Sequence, residues 1–158
     1  MEEHLVKRMG IIAAHGTLDG AYPPLILATT AAALDMEAAI FFTFYGLQIL
    51  KKDGADKLKV APVGNPAMPV SIPTMVGMLP GMTSAATHMM NSWMQEANVA
   101  KISELLDIAL ASDVRLIACQ MTMDVMHIEK DELIDGIEIG GAATFVDYIS
   151  RDAIALTF

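Results

Sequence analysis

Residues 9–46, MGIIAAHGTLDGAYPPLILATTAAALDMEAAIFFTFYG, contain two short apolar runs on either side of a longer, helix-like segment. The first run, Met9–Ala14, is followed by Gly16 and predicts a buried strand that ends in a turn. The second run, Ala39–Phe44, is rich in aromatic residues and predicts another buried strand. Two strands joined by a helix within roughly 40 residues indicate a right-handed crossover in a parallel sheet.

The segment between these strands predicts a loop and then a helix that ends near Leu34. Asp19 or Gly20 is the expected cap of this helix. Pro23 and Pro24 are expected in the loop or in the first helical turn, where their missing N–H groups do no harm.

The remaining chain continues to alternate helices and strands, without an internal repeat. The pattern predicts helices over Leu47–Lys52, residues 82–97, 101–112, Met121–His127 and Gly141–Ser150, and strands over Val114–Ala118, Ile137–Ile139 and residues 153–158. One broad apolar face is expected on the helix 82–97, formed by Met82, Ala85, Ala86, Met89, Met90, Trp93 and Met94. His88 lies beside that face and is interpreted as a structural histidine rather than a ligand. Residues 60–80, rich in Pro, Met and Gly, predict an ordered excursion packed on the body or on another subunit. The whole chain, residues 1–158, is expected to form one open, doubly wound α/β domain.

The composition is unusually apolar, at 54% hydrophobic residues and a mean hydropathy of +0.45. The longest stretch without Asp, Glu, Lys or Arg, residues 60–95, contains five prolines, so no membrane span is expected. The first ten residues, MEEHLVKRMG, show no signal peptide. We therefore expect the surplus apolar surface to be buried between copies of the chain, as the 13 methionines also suggest.

The net charge of −9 disfavours nucleic-acid binding, because phosphate neutralisation by Lys and Arg dominates that affinity. The acidic surface is a solvated face or a site for a basic partner. One cysteine excludes an intrachain disulfide and fits a reducing cytoplasm.

That cysteine, Cys119, follows a predicted middle strand and precedes a predicted helix. Reactive groups gather at the carboxyl ends of the strands in such sheets, and a helix N-terminus favours a thiolate, which is a strong nucleophile.

Other strand ends supply His15, Thr17 and Asp19, and Thr43 and Tyr45. His15 either shares a proton with the thiol or orients a loop, Asp19 is a cap or a catalytic acid, and Asp124 is a surface carboxylate or a general base. Core packing is favoured over soft-metal binding for methionines 121, 123 and 126, because their spacing does not place them all on one face. Dinucleotide, phosphate-loop, dithiol and zinc motifs are absent from the sequence.

Several long strings of the sequence resemble the DsrE/DsrF-like family, and its branch often labelled peroxiredoxin family protein, over about Lys7–Phe158. These strings are GTLDGAYPPLILATTAAALDMEAAIFFTFYGLQIL, NPAMP, LPGM and ACQMTMDVM. The resemblance implies a flavodoxin-like, mostly parallel five-stranded sheet with helices on both faces, assembled as a homotrimer or homohexamer. It also implies that Cys119 carries the transferred sulfur. The family's first turn matches Gly16, Thr17, Leu18 and Asp19. His127 departs from the pattern, which has glycine there, and could alter the thiol pocket. The sequence does not show the threonine and arginine arrangement that activates peroxide in peroxiredoxins, so it gives the peroxiredoxin label little support.

The resulting hypothesis is a sulfur carrier or sulfurtransferase that holds sulfane sulfur as a persulfide on Cys119. Its expected partners are rhodanese-like or TusA-like donor and acceptor proteins, and no cofactor or metal is expected. The candidate pocket residues are His15, Gly16, Thr17, Asp19, Tyr45, Gln120, Met121, Asp124 and His127. One alternative is a non-catalytic oligomeric scaffold with a buried cysteine, and a weaker one, from fold analogy alone, is a binder of flavin or coenzyme A.

Overall fold

The computed structural model describes residues 7–62, 75 and 79–158, and its centre is a five-stranded sheet in which every pairing is parallel. The strand order is β4-β3-β2-β1-β5. The strands are β1 Arg8–Ala13, β2 Glu37–Phe42, β3 Arg115–Cys119, β4 Glu138–Gly140 and β5 Ala153–Thr157. The helices are α1 Leu18–Ala33, α2 Met82–Glu96, α3 Ile102–Ala111, α4 Gln120–Met126 and α5 Ala142–Ile149, with 3₁₀ helices at Phe44–Leu50, Ala55–Lys57 and Lys130–Glu132.

Helices cover both faces of the sheet, as expected for an open α/β fold. Alternate residues of β1, β2 and β3 enter two separate hydrophobic clusters, because successive side chains point to opposite faces. The larger cluster joins the sheet to α1 and α3. The smaller one joins the other face to α5 through Phe145 and Tyr148. Gly10 lets α5 come this close, because a Cβ at that position would overlap Ile149.

Helix α1 begins earlier than the sequence suggested. Thr17, rather than Asp19 or Gly20, is its N-cap, and the Thr17 hydroxyl accepts a hydrogen bond from the Gly20 N–H at 3.2 Å. Pro23 and Pro24 consequently lie inside the helix and not in its first turn. The expectation of a loop before these prolines was wrong because Thr17 caps the helix six residues before Pro23, and the helix tolerates the two missing N–H groups.

Two further expectations are corrected by the structure. Strand β2 ends at Phe42 rather than Phe44, and the helix that follows is a 3₁₀ helix at Phe44–Leu50, which begins three residues before the predicted Leu47–Lys52. Helix α2 forms where it was predicted, but none of its residues is buried. Met90 and Met94 contact the larger cluster while Trp93 is 38% exposed, so the predicted apolar face is only partly covered. The predicted excursion at 60–80 falls mainly on residues 63–74 and 76–78, outside the described residues.

Within the described ranges, no helix combines the length and the apolar character that crossing a membrane requires.

Candidate functional site

All five strands run in the same direction, so their carboxyl ends meet at one edge of the sheet, which we call the carboxyl edge. The register places Ala13, Phe42 and Ala118 side by side just before this edge. Beyond them follow the turn 14–17, the turn 43–46 and the start of α4. The candidate residues of three separate segments are therefore on the same side of the molecule.

Cys119 is the last residue of β3 and the N-cap of α4, and it pairs with Gly140 of β4. Its side chain belongs to the smaller cluster, together with Phe41, Ile117 and Phe145. Only 4% of the residue is exposed. The sequence led us to expect a reactive thiol at this edge; the structure places Cys119 there but buries it among apolar side chains.

The Thr122 hydroxyl connects α4 to the residues that follow β2. It is buried, lies 3.2 Å from the Thr43 hydroxyl and accepts a hydrogen bond from the Phe44 N–H at 3.1 Å. Phe44 has a left-handed backbone (φ 46°), which is unfavourable for a residue with a side chain, and the residue is 52% exposed. Sequence reasoning missed Thr122; the available signal was a threonine one turn after Cys119 in a segment that is otherwise mainly apolar.

The structure does not bring His15 to Cys119. β1 and β3 flank β2, so their ends are two strand spacings apart, roughly 10 Å. His15 is exposed. Gly16 lies against the Tyr45 carbonyl, and Asp19 accepts a hydrogen bond from the Ala61 N–H at 2.9 Å instead of capping α1. The turn 15–19 therefore shapes the loop beside α1, and the end of β2 lies between this turn and Cys119.

The candidates on α4 lie mostly on its solvent side. Gln120 donates a hydrogen bond to the Asp124 carboxylate at 2.8 Å, and Met121 is 56% exposed. His127 is exposed at the opposite end of α4 from Cys119, about 10 Å away along a seven-residue helix, so it does not line the thiol's surroundings. In the described part of the chain, no group of three His, Cys, Asp or Glu residues is arranged to hold a metal ion.

A polar cluster that sequence reasoning missed lies at the opposite edge, where the strands begin. Arg8 pairs with Glu37 at 2.6 Å, and Arg115 pairs with Glu138 at 2.7 Å. Both guanidinium groups lie over the Tyr148 ring, at 5.5 and 5.3 Å from its centroid. Burial raises the pKa of Tyr148 to about 12, and its buried hydroxyl has no hydrogen-bond partner among the described residues.

Comparison with known proteins adds a family and two relatives. The sequence profile described as the DsrE/DsrF/DrsH-like family matches residues 6–157. The chain is 47% identical over 156 residues to the sulfur carrier protein DsrE2 of Allochromatium vinosum, covering 95% of this chain and 97% of that protein. It is 33% identical over 150 residues to the uncharacterized protein YrkE of Bacillus subtilis, covering 89% of each chain.

Solved structures show the same fold at low sequence identity. MTH1491 of Methanobacterium thermoautotrophicum, titled a protein of unknown function, superposes with a TM-score of 0.56 at 11% identity, over 96% of this chain and 98% of that one. The ychN protein of E. coli superposes with a TM-score of 0.54 at 15% identity, over 96% and 99% of the two chains. With the family profile spanning nearly its whole length, the chain belongs to the DsrE/DsrF/DrsH-like family.

Proposed function

We propose that this protein is a sulfur carrier that holds sulfane sulfur as a persulfide on Cys119. One observation carries the proposal: the only cysteine of a chain 47% identical to a named sulfur carrier ends a strand at the carboxyl edge of a parallel sheet. Such edges are where α/β proteins place reactive groups. Its partners in this proposal are rhodanese-like or TusA-like donor and acceptor proteins in a reducing cytoplasm, and it works as a homotrimer or homohexamer.

The chemistry needs only one cysteine. The Cys119 thiolate attacks the outer sulfur of a donor persulfide, R–S–SH, and a new S–S bond forms as the donor's S–S bond breaks. The donor leaves as the thiolate R–S⁻, and Cys119 becomes Cys119–S–SH. An acceptor thiolate then attacks the outer sulfur in the same way and regenerates the Cys119 thiolate. No net oxidation or reduction occurs, so no cofactor is required.

The burial of Cys119 should slow the loss of the carried sulfur. A persulfide surrounded by Phe41, Ile117 and Phe145 reacts more slowly with small thiols in solution than an exposed persulfide does. Loading and unloading then proceed through local opening of the carboxyl edge, which the free protein undergoes in its native state.

The test is to incubate the native protein with polysulfide, remove the excess and measure the intact mass. We expect a gain of one or more sulfur atoms that is lost in Cys119→Ser and reversed by a thiol acceptor. The unfolded protein serves as the control for full thiol reactivity. No mass gain in the native protein, with normal reaction after unfolding, contradicts the proposal.

The second candidate is an oligomeric scaffold in which the cysteine only fills space. The 4% exposure of Cys119 inside an apolar cluster favours it, because a free cysteine often serves as a small hydrophobic core residue. The same measurement separates the two candidates, since a scaffold gains no sulfur in its native state.

A further inference from the structure

Four exposed apolar residues belong to the two segments that meet at the carboxyl edge, directly after the ends of β2 and β3. They are Phe44 at 52% exposure, Tyr45 at 67%, Met121 at 56% and Val125 at 67%, and we call them the edge patch. Met121 and Val125 are one helical turn apart on α4, which starts directly after Cys119. Large apolar side chains grouped on a surface in this way mark sites of interaction with other molecules.

The two halves of the edge patch are held together by the structure beneath them. The Thr122 hydroxyl, on the inner side of α4, accepts the Phe44 N–H and contacts the Thr43 hydroxyl. This contact fixes the left-handed backbone at Phe44, a residue that is 52% exposed. Unfavourable backbone conformations at non-glycine residues are concentrated at functional sites. An exposed aromatic residue in such a conformation contributes little to the core, so its position is explained by a binding role.

A carboxylate lies within the patch, and no cation accompanies it. Asp124 is on the same side of α4 as Met121 and Val125, at the i+3 position from Met121. Its hydrogen-bond partner is the neutral Gln120, and within the described ranges it forms no ion pair. The segments that form the patch, residues 43–50 and 119–129, contain no Lys or Arg. The surface is therefore complementary to an apolar surface that carries a positive charge.

Resting on the proposed function, we propose that the edge patch is the docking surface for the protein that exchanges sulfur with Cys119. The partner presents its cysteine on an apolar surface with Lys or Arg beside it. The apolar contact covers the patch, and the partner's cation pairs with Asp124. Docking beside the N-terminus of α4 places the partner's sulfur next to the region that must open to expose Cys119.

Two synthetic peptides test this surface. Each contains one cysteine between two leucines, flanked by Lys and Arg in one peptide and by Glu in the other, and each is activated as a mixed disulfide with thionitrobenzoate. The Cys119 thiolate attacks the peptide sulfur, the mixed disulfide breaks, and the thionitrobenzoate anion that leaves is followed by its absorbance. We expect the basic peptide to react about tenfold faster than the acidic one at low salt, and high salt to reduce the ratio.

Substitutions in the edge patch test whether it causes the rate difference between the two peptides. Asp124→Asn should bring the two peptide rates close together, and Tyr45→Ser or Val125→Ser should slow the basic peptide severalfold. Leu34→Ser is the matched control, because Leu34 is 68% exposed but follows α1 at the opposite edge of the sheet. Alkylation of Cys119 by neutral iodoacetamide should be the same in all of these proteins, which shows that the thiol itself is unchanged.

The outcomes separate the two proposals. Equal rates for the two peptides, or patch variants that behave like Leu34→Ser, would overturn the docking surface while sulfur loading by polysulfide stays intact. A lower sedimenting mass in Tyr45→Ser and Val125→Ser, with unchanged peptide rates, would assign the patch to contacts between copies of the chain and equally overturn it. A native Cys119 that neither alkylates nor gains sulfur would overturn the carrier function itself.

Discussion

At the scale of single residues, His127 occupies the position after MDVM at which the family resemblance implies glycine. This residue caps the C-terminus of α4 with a left-handed backbone, φ 52° and ψ 45°. Glycine adopts that conformation without steric cost, whereas a Cβ makes it unfavourable. The departure seen in the sequence therefore concerns the end of a helix, and it does not alter the surroundings of the thiol as the resemblance had suggested.

Replacing His127 by glycine should stabilise the protein. We expect His127→Gly to raise the free energy of unfolding by about 0.5–1 kcal/mol, because the relief of the left-handed strain exceeds the entropy that glycine adds to the unfolded chain. Denaturant unfolding measures the change. His127→Ala is the control, since it removes the imidazole but keeps the Cβ; an equal gain from both variants would show that the backbone conformation is not the cause.

Tyr148 buries a hydroxyl that has no hydrogen-bond partner among the described residues. At neutral pH we expect the free energy of unfolding of Tyr148→Phe to equal that of the unsubstituted protein or to exceed it by up to about 1 kcal/mol. The reason is that the substitution removes an unsatisfied polar group. Tyr22→Phe is the matched comparison: the Tyr22 hydroxyl donates to the Ala100 carbonyl at 3.1 Å, so its loss should cost about 1 kcal/mol. A clear loss in Tyr148→Phe would indicate that this hydroxyl is satisfied in solution.

Tyr148 also makes the free energy of unfolding depend on pH. Burial raises the pKa of Tyr148 from 10.0 to about 12, so the folded protein keeps a proton that the unfolded chain releases. The stabilisation is therefore complete below pH 10 and is lost as the pH rises from 10 to about 12. In Tyr148→Phe the free energy of unfolding should fall less steeply over this interval. Equal slopes in the two proteins would contradict the assignment.

At the scale of elements, the close crossing of two segments shapes the carboxyl edge. The 3₁₀ helix Phe44–Leu50 passes so near the end of β1 that a Cβ at Gly46 would overlap the Ala13 carbonyl oxygen. Gly46→Ala should therefore destabilise the protein by at least about 2 kcal/mol in thermal or denaturant unfolding, because backbone atoms would have to separate. Gly141→Ala, where no atom lies within 4 Å of the added Cβ, should change stability by less than about 1 kcal/mol.

The elements that sequence reasoning located correctly are those whose signal is local. The apolar runs of β1, β2 and β3 and the pattern of α3 form elements whose ends lie within two residues of the predicted ones. The position of Cys119 at the end of β3 followed from the same signal. Errors had two sources: in α1 a local cap, Thr17 with the Gly20 N–H, outweighs the two prolines, and after β2 the contact between Thr43 and Thr122 joins residues 79 positions apart. The burial of Cys119 depends on α5, which packs on that face from far along the chain.

At the scale of the whole molecule, α2 is a 15-residue helix without one buried residue. Together with the high apolar content of the chain, this favours burial of its apolar side between copies. We expect the protein to sediment at a multiple of its 16.9 kDa chain mass. Met89→Glu should lower that mass, whereas Asn91→Glu, which adds the same charge to the other side of α2, should not. A single-chain mass at all micromolar concentrations would contradict the expectation.

The pairing of β1 with both β2 and β5 has a consequence for biosynthesis. β1 and β2 leave the ribosome early and can pair at once. The other edge of β1 stays unpaired until residues 153–157 have been synthesised. An unpaired edge invites association with other extended chains, and contacts between distant residues form slowly. A nascent chain that stalls before residue 153 therefore carries a bare strand edge, and we expect such a chain to aggregate more readily than the finished protein.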